Sequence, residues 1–278
     1  MNRNIGIVGL GLIGGSLAKA VKAKTSNIVY GMDLDAGAVG LALSQGAIDF
    51  VLDEGSLGKC DNIIIALYPS DVISFVQANI PRFKKGALII DCAGVKVNIC
   101  AALSRLVHEN GMLFVGGHPM AGTEKSGFKN SSEELFEGAA MLLCADDFTE
   151  PSALEAAGEL FTGIGFGKVT VTSPAEHDEV IAFTSQLAHV VSNAYVKGDA
   201  AAKQAGFSAG SYKDLTRVAW LNESMWTELF FENKDYLLPE IDGLIKRLAE
   251  YSDALKNNDV SEMKQLLADG KKAKEAVG

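Results

Sequence analysis

Residues 4–15 read NIGIVGLGLIGG, a short β-rich run from Asn4 that breaks into Gly9-Leu10-Gly11-Leu12-Ile13-Gly14 and then into the helix-patterned Gly15-Ser16-Leu17-Ala18-Lys19-Ala20-Val21. A G-x-G-x-x-G between a strand and a helix has a physical specification. The first glycine makes the tight turn, the second lets backbone approach a pyrophosphate, the third lets helix pack on strand, and the helix N-terminus faces the anion. Gly9, Gly11 and Gly14 take these roles, with Leu12 and Ile13 in the same cofactor-binding turn. A second run, Asn27 to Met32 (NIVYGM), ends at Asp33, 19 residues past Gly14, where a dinucleotide fold carries its ribose-binding acid. A carboxylate there accepts hydrogen bonds from a free ribose hydroxyl and repels a 2′-phosphate, so the expected cofactor is NAD, not NADP.

Beyond Asp33, strand-like runs recur at Asn62–Leu67, Ala87–Asp91, Met112–Val115, Ala140–Cys144 and Lys168–Val171, alternating with helical pattern. This alternation predicts an α/β fold with a parallel, doubly wound sheet of Rossmann type. Past Val171 the strand pattern stops and helical segments continue, which predicts a dinucleotide-binding domain over residues 1–172 and an all-helical domain over residues 173–278. Ser173-Pro174-Ala175-Glu176 reads as its start: Ser as N-cap, Pro in the first turn, Glu as reciprocal capping partner. The helix that follows, to about Val196, places Ser185 and His189 on one face. So much apolar surface on about 100 helical residues predicts a core completed by dimerisation, hence a homodimer.

Residues 116–127 read GGHPMAGTEKSG. They are expected to form a glycine-rich loop opening where the Met112–Val115 strand stops, at the carboxyl edge of the sheet where ligands of such folds bind. Proline after His118 pushes the histidine into extended backbone. The segment is therefore expected to aim that imidazole into the cofactor cleft.

Composition narrows the class. The 278 residues are 48% hydrophobic and carry a formal net charge of −10, which argues for a folded protein with a small-molecule ligand and against a nucleic-acid partner. No run of 18 apolar residues is present, so neither a membrane span nor a signal segment is expected, and the predicted location is the cytoplasm. Cys60, Cys92, Cys100 and Cys144 lack metal-site or disulfide-framework spacing and are read as buried small apolar residues, with no metal expected.

Taken together, GLGLIGGS, GGHPMAGTEKSG, SQLAH (Ser185–His189) and DLTRVAWLNESMW (Asp214–Trp226) resemble the prephenate dehydrogenases of tyrosine biosynthesis, over roughly Ile5 to Lys234. The resemblance implies an oxidative decarboxylation in which the ring carbon bearing the hydroxyl gives hydride to the nicotinamide, the hydroxyl loses its proton, and the ring carboxylate leaves as CO2. It assigns His118 as the catalytic hydrogen-bond acceptor, against the alternative of a structural loop histidine. It assigns Arg217 to a substrate carboxylate, a role its planar fork suits, against an ordinary surface salt bridge. His189 and Ser185 match substrate-pocket positions, against the alternative of a core or interface histidine, and Thr123 and Glu124 match pocket-gating positions in the same substrate site. Trp226 aligns near the substrate, although a Trp on an amphipathic helix is often core. His177-Asp178 is read as an exposed structural pair at a helix start. One position departs from the family pattern: DCAGVK has Gly94 where a serine usually links the histidine to the nicotinamide. The end of the chain at Gly278 leaves no room for an appended regulatory domain, so any feedback inhibition by tyrosine is expected at the active site. Arogenate dehydrogenase, the same chemistry on an amino-acid side chain, remains open. So do a β-hydroxyacid dehydrogenase, which would need a lysine in the helical domain, and a cofactor-sensing regulator, which would leave His118 and Arg217 unexplained.

Overall fold

In chain order the elements of this computed structural model, which describes residues 2–123, 125–207 and 209–278, are β1 Asn4–Val8, α1 Leu12–Lys24, β2 Ile28–Met32, α2 Ala36–Ser44, β3 Phe50–Val51, α3 Glu54–Leu57, β4 Asn62–Ile65, α4 Pro69–Asn79, β5 Leu88–Asp91, α5 Val97–Glu109, β6 Leu113–Pro119, β7 Ala140–Cys144, α6 Pro151–Gly163 and β8 Lys168–Thr172. Helices alone follow: α7 Pro174–Ile181, a π-helical segment Ala182–Leu187, α8 Ala188–Tyr195, α9 Gly210–Thr216, α10 Glu223–Glu232, α11 Lys234–Lys256 and α12 Val260–Val277, with short 3-10 turns between some of them. The expected Rossmann-type sheet followed by a helical region is the observed architecture.

The eight strands form one sheet in the order β3-β2-β1-β4-β5-β6-β7-β8. Strands β1 to β6 run parallel, β6 pairs with β7 antiparallel, and β7 and β8 are parallel to each other. The sheet is therefore mixed where the alternation pattern suggested a wholly parallel one. Its centre reads as continuous apolar runs because helices cover both faces: every residue of β4 (NIII) and β5 (LIID) is buried. The two-residue β3 passes below what pattern reading detects; its Phe50 and Val51 are exposed at the sheet edge.

The strand order reverses between β1 and β4, which opens the ligand crevice of such sheets beyond their carboxyl ends. That crevice is shaped by glycine. Gly9 sits at φ +86°, and a Cβ there would meet the Ala66 carbonyl at 2.5 Å; a Cβ on Gly14 would meet the Gly9 carbonyl at 1.8 Å. A Cβ on Gly11 would meet nothing within 4 Å.

β6 differs from expectation in a way that matters. It does not stop at Val115 but runs on through Gly116-Gly117-His118-Pro119, paired antiparallel with β7 as Gly116↔Cys144, Gly117↔Leu143, His118↔Leu142 and Pro119↔Met141. His118 is thus a strand residue, not a loop residue. The two glycines before it serve close packing: a Cβ on Gly117 would meet the Asp91 carbonyl at 2.5 Å, and one on Gly116 the Cys100 Sγ at 2.9 Å. All four cysteines are buried.

At the start of α7, Ser173 Oγ accepts from Glu176 N at 3.2 Å as expected, but the Glu176 carboxylate accepts from Thr172 Oγ1 at 2.6 Å instead of closing a capping box. The core of the helical region is small, with Ala182, Leu187 and Leu237 buried together. By contrast Leu238, Ile245, Leu248 and Leu255 form an exposed apolar stripe along α11. Among the described residues no helix is long and apolar enough to cross a membrane.

Candidate active site

The cofactor end of the cleft is made largely of backbone. α1 begins at Gly11 with no side-chain cap, so its first N–H groups are open to an anion, and Leu12 and Ile13 form its first turn beside the open side of Gly11. A side chain at Gly11 would project into open space at this helix start. Asp33 follows β2 and braces the turn: its Oδ2 accepts from Leu10 N at 2.7 Å and its Oδ1 from Asp35 N at 2.8 Å. The carboxylate is held beside the glycine turn and is partly exposed, with acceptor capacity left for a ribose hydroxyl. These features fit a nicotinamide dinucleotide.

The other end is made of side chains drawn from distant parts of the chain. His118 on β6 reaches beyond the end of β5, where a Cβ on Gly94 would lie 3.9 Å from its Cε1 and 3.3 Å from Leu229 of α10. Its Nδ1 lies 2.9 Å from Nε2 of His177, whose Nδ1 lies 2.7 Å from Asp178 Oδ1. His177 and Asp178 are buried, 2% and 1% exposed, which corrects the expectation of an exposed structural pair. Asp178 also receives Lys96 N and Val97 N, each at 2.8 Å, and so caps the N-terminus of α5 from α7. Asn233 Nδ2 donates to the Asp178 carbonyl at 2.9 Å and to Gln186 Oε1 at 2.8 Å, tying α7 to the α10–α11 junction.

Beneath this row lies a fully buried ion pair, Lys96 with Asp91, whose Oδ1 also accepts from Gly117 N at 3.2 Å. The pair joins the end of β5 to β6 immediately before His118. Burial holds the His118 pKa well below the usual histidine value, with the neighbouring His177 and Lys96 adding to the effect. Burial also lowers the His177 pKa, opposed by its hydrogen bond to Asp178.

Ser185 lies in the π-helical segment, and His189 Nδ1 lies 2.9 Å from the Ser185 carbonyl, while the His189 ring stacks on Trp226 with centroids 3.9 Å apart. Burial lowers the His189 pKa; the Ser185 carbonyl opposes that shift, and the nearby Arg217 charge adds to it. Arg217, in the 3-10 turn after α9, is exposed, and its guanidinium has no carboxylate partner among the described residues, so the salt-bridge alternative has no partner to name. Ser185, His189, Arg217 and Trp226 thus form one neighbourhood. Thr123 is exposed and, among the described residues, bonds to the Lys125 backbone; Glu124 lies outside the described residues.

Two adjoining domain families match the sequence: the nucleotide-binding domain of prephenate dehydrogenase over residues 17–171 and its dimerization domain over residues 173–269. The chain belongs to the prephenate dehydrogenase family. It is 31% identical to a prephenate dehydrogenase of Lactococcus lactis, over 99% of this chain and 77% of that one. It is 29% identical to a cyclohexadienyl dehydrogenase of Zymomonas mobilis, over 99% and 96%. A crystal structure of prephenate dehydrogenase from A. aeolicus in complex with hydroxyphenyl propionate and NAD+ superposes with a TM-score of 0.86 at 26% identity, covering 100% of this chain and 99% of that one. The protein is therefore a dehydrogenase of the prephenate and cyclohexadienyl type with a nicotinamide dinucleotide-binding domain and a dimerization domain.

Sequence reading missed the contact between His118 and His177. A signal was present: His177 lies four residues before Ile181 and Asp178 four before Ala182, both buried, so the pair sits on the inward face of α7. A helix start is not by itself exposed when another helix start and a strand end close over it, as α5 and β6 do here.

Proposed function

We propose that the protein is a cytoplasmic, homodimeric, NAD-dependent prephenate dehydrogenase that converts prephenate to 4-hydroxyphenylpyruvate, with residues 1–172 holding the dinucleotide and residues 173–278 completing the substrate pocket and the dimer. The observation that carries this reading is the position of His118, a neutral histidine fixed in a strand at the carboxyl edge of the sheet, between the end of β5 and α10. NAD, when bound, takes up the hydride lost by the ring carbon that bears the hydroxyl. His118 accepts the proton of that hydroxyl as a carbonyl begins to form; loss of the ring carboxylate as CO2 leaves its bonding pair in the ring, and the aromatic oxygen takes the proton back from His118 to give the phenol. A depressed pKa keeps the imidazole unprotonated and ready to accept at neutral pH.

Arg217 offers two parallel N–H donors to a substrate carboxylate, and among the described residues no carboxylate engages them. His189, Ser185, Thr123 and Glu124 complete the pocket in this reading. Asp33 favours NAD because a 2′-phosphate would meet its carboxylate. The exposed stripe on α11 supplies apolar surface for a second copy. The test is the rate of reduced-nicotinamide formation from prephenate and from arogenate, each with NAD and with NADP. Prephenate with NAD is expected to give the highest kcat/KM; equal rates on both substrates would assign the broader cyclohexadienyl activity, and no turnover of either would overturn the proposal.

A further inference from the structure

We infer that His177 and Asp178 are positioning residues that hold His118 in its Nδ1–H tautomer, leaving Nε2 as the atom that accepts the substrate proton. The inference deepens the proposed function and rests on its reading of His118 as the base. It follows from counting donors. The Asp178 carboxylate receives backbone N–H bonds on both oxygens, from Lys96 at Oδ1 and Val97 at Oδ2. An acceptor-only carboxylate facing His177 Nδ1 at 2.7 Å requires the proton on that nitrogen. A neutral imidazole carries one proton, so His177 Nε2 holds a lone pair. That lone pair lies 2.9 Å from His118 Nδ1, which must then bring the hydrogen. His118 Nε2 is left as the free acceptor.

The surroundings are consistent with one proton on each ring. Lys96 and Asp91, from the end of β5 and the turn after it, form a closed ion pair below the histidines. On α7 the charged neighbour is Asp178, while Glu176 is turned to Thr172. The other elements around the row present uncharged groups: Leu142 of β7 opposite His118, Leu229 of α10, and Asn233 at the start of α11. Burial disfavours the charged form of both rings. When Nε2 takes the hydroxyl proton, the imidazolium that forms keeps its Nδ1–H bond to His177, and Asp178 behind it carries the compensating charge.

The tautomer can be read without catalysis. The chain has four histidines, so 15N-histidine labelling of the whole protein gives a spectrum that variants can assign. At neutral pH both His118 and His177 are expected to show a protonated Nδ1 and an unprotonated Nε2; an Nε2-protonated His118 would overturn the inference. In kinetics, His177→Ala is expected to lower kcat roughly tenfold or more with KM and NAD affinity little changed, because the acceptor is lost in the transition state and not in binding. His177→Gln, which retains an acceptor oxygen, should recover part of the loss. In a His118→Asn background the His177→Ala change should cost nothing further, since the two rings act as a unit. Normal turnover in His118→Asn would remove the base reading and this inference with it. A loss in His118→Asn together with an additive His177→Ala effect, or a His177→Ala change in Tm alone, would leave the base reading standing and overturn only the positioning role.

Discussion

The glycine turn at residues 9–14 and the row His118–His177–Asp178 lie along the carboxyl edge of one sheet, yet they are held in different ways. The turn is local: six consecutive residues, a positive φ at Gly9, and contacts that forbid any larger residue at Gly14. The row is assembled from β6, α7 and the α10–α11 junction, across sequence separations of 59 residues for His118 to His177 and 55 for Asn233 to Asp178. A site of the first kind tolerates distant change and fails when its own backbone is altered. A site of the second kind depends on several elements remaining packed at once.

The sharpest test of this contrast is His118→Asn, expected to lower kcat by roughly 10²–10⁴ while NAD affinity and Tm stay close to wild type. Near-normal turnover would make His118 structural and would move the search for a base to His189. Gly14→Ala is the counterpart at the other end. With a Cβ only 1.8 Å from the Gly9 carbonyl, the turn must deform, and a loss of about 2–4 kcal/mol of stability with severe loss of NAD binding is expected. Wild-type stability with unchanged NAD affinity, by thermal unfolding and titration, would mean that the turn is not the rigid cradle described.

Arg217→Ala should raise KM for substrate by about ten- to a hundredfold, the equivalent of roughly 1.5–3 kcal/mol for one charge-assisted contact, with NAD binding intact. Arg217→Lys should recover only part, since the planar fork is lost. An effect on Tm alone would return Arg217 to a structural role. Asp33→Ala is expected to narrow an NAD-over-NADP preference of about tenfold, chiefly by weakening NAD, because one like charge at a 2′-phosphate accounts for about 1.4 kcal/mol.

The pH dependence should carry the mark of burial. Turnover requires neutral His118, and since its pKa is depressed, the acidic limb should fall below the ordinary histidine value of about 6.5. Stability has the same sign: His118, His177 and His189 all bind protons less readily folded than unfolded, so their contribution is fully present above about pH 6.5 and is lost as pH falls toward the folded pKa values. A Tm that rises on acidification through pH 6 would contradict that sign. The smallest effect is expected for Gly94→Ser. Its Cβ would press on the flexible tip of Leu229 at 3.3 Å and lie in ordinary contact with His118 Cε1 at 3.9 Å, so a stability change under about 1 kcal/mol is expected, and any gain in kcat would show that a hydroxyl near His118 is still useful here.

Local rules within the sequence account for one set of features. The strand-turn-helix at Asn4–Val21, Asp33 after β2, the apolar centre of the sheet and the change to helix after β8 each depend on steric demands or periodicities within a few residues, and each is legible there. Tertiary structure decided the rest. Periodicity gives no strand direction, so the antiparallel pairing that turns GGHP from a loop into the end of β6 depends on β7, more than 20 residues away in sequence. Helical spacing gives a face but not what covers it, so His177-Asp178 read as exposed, whereas α7 packs against the start of α5 and the His118 end of β6. Hydrogen bonds between buried side chains are directional and long in sequence, and only the assembled packing fixes which nitrogen of which imidazole faces which partner.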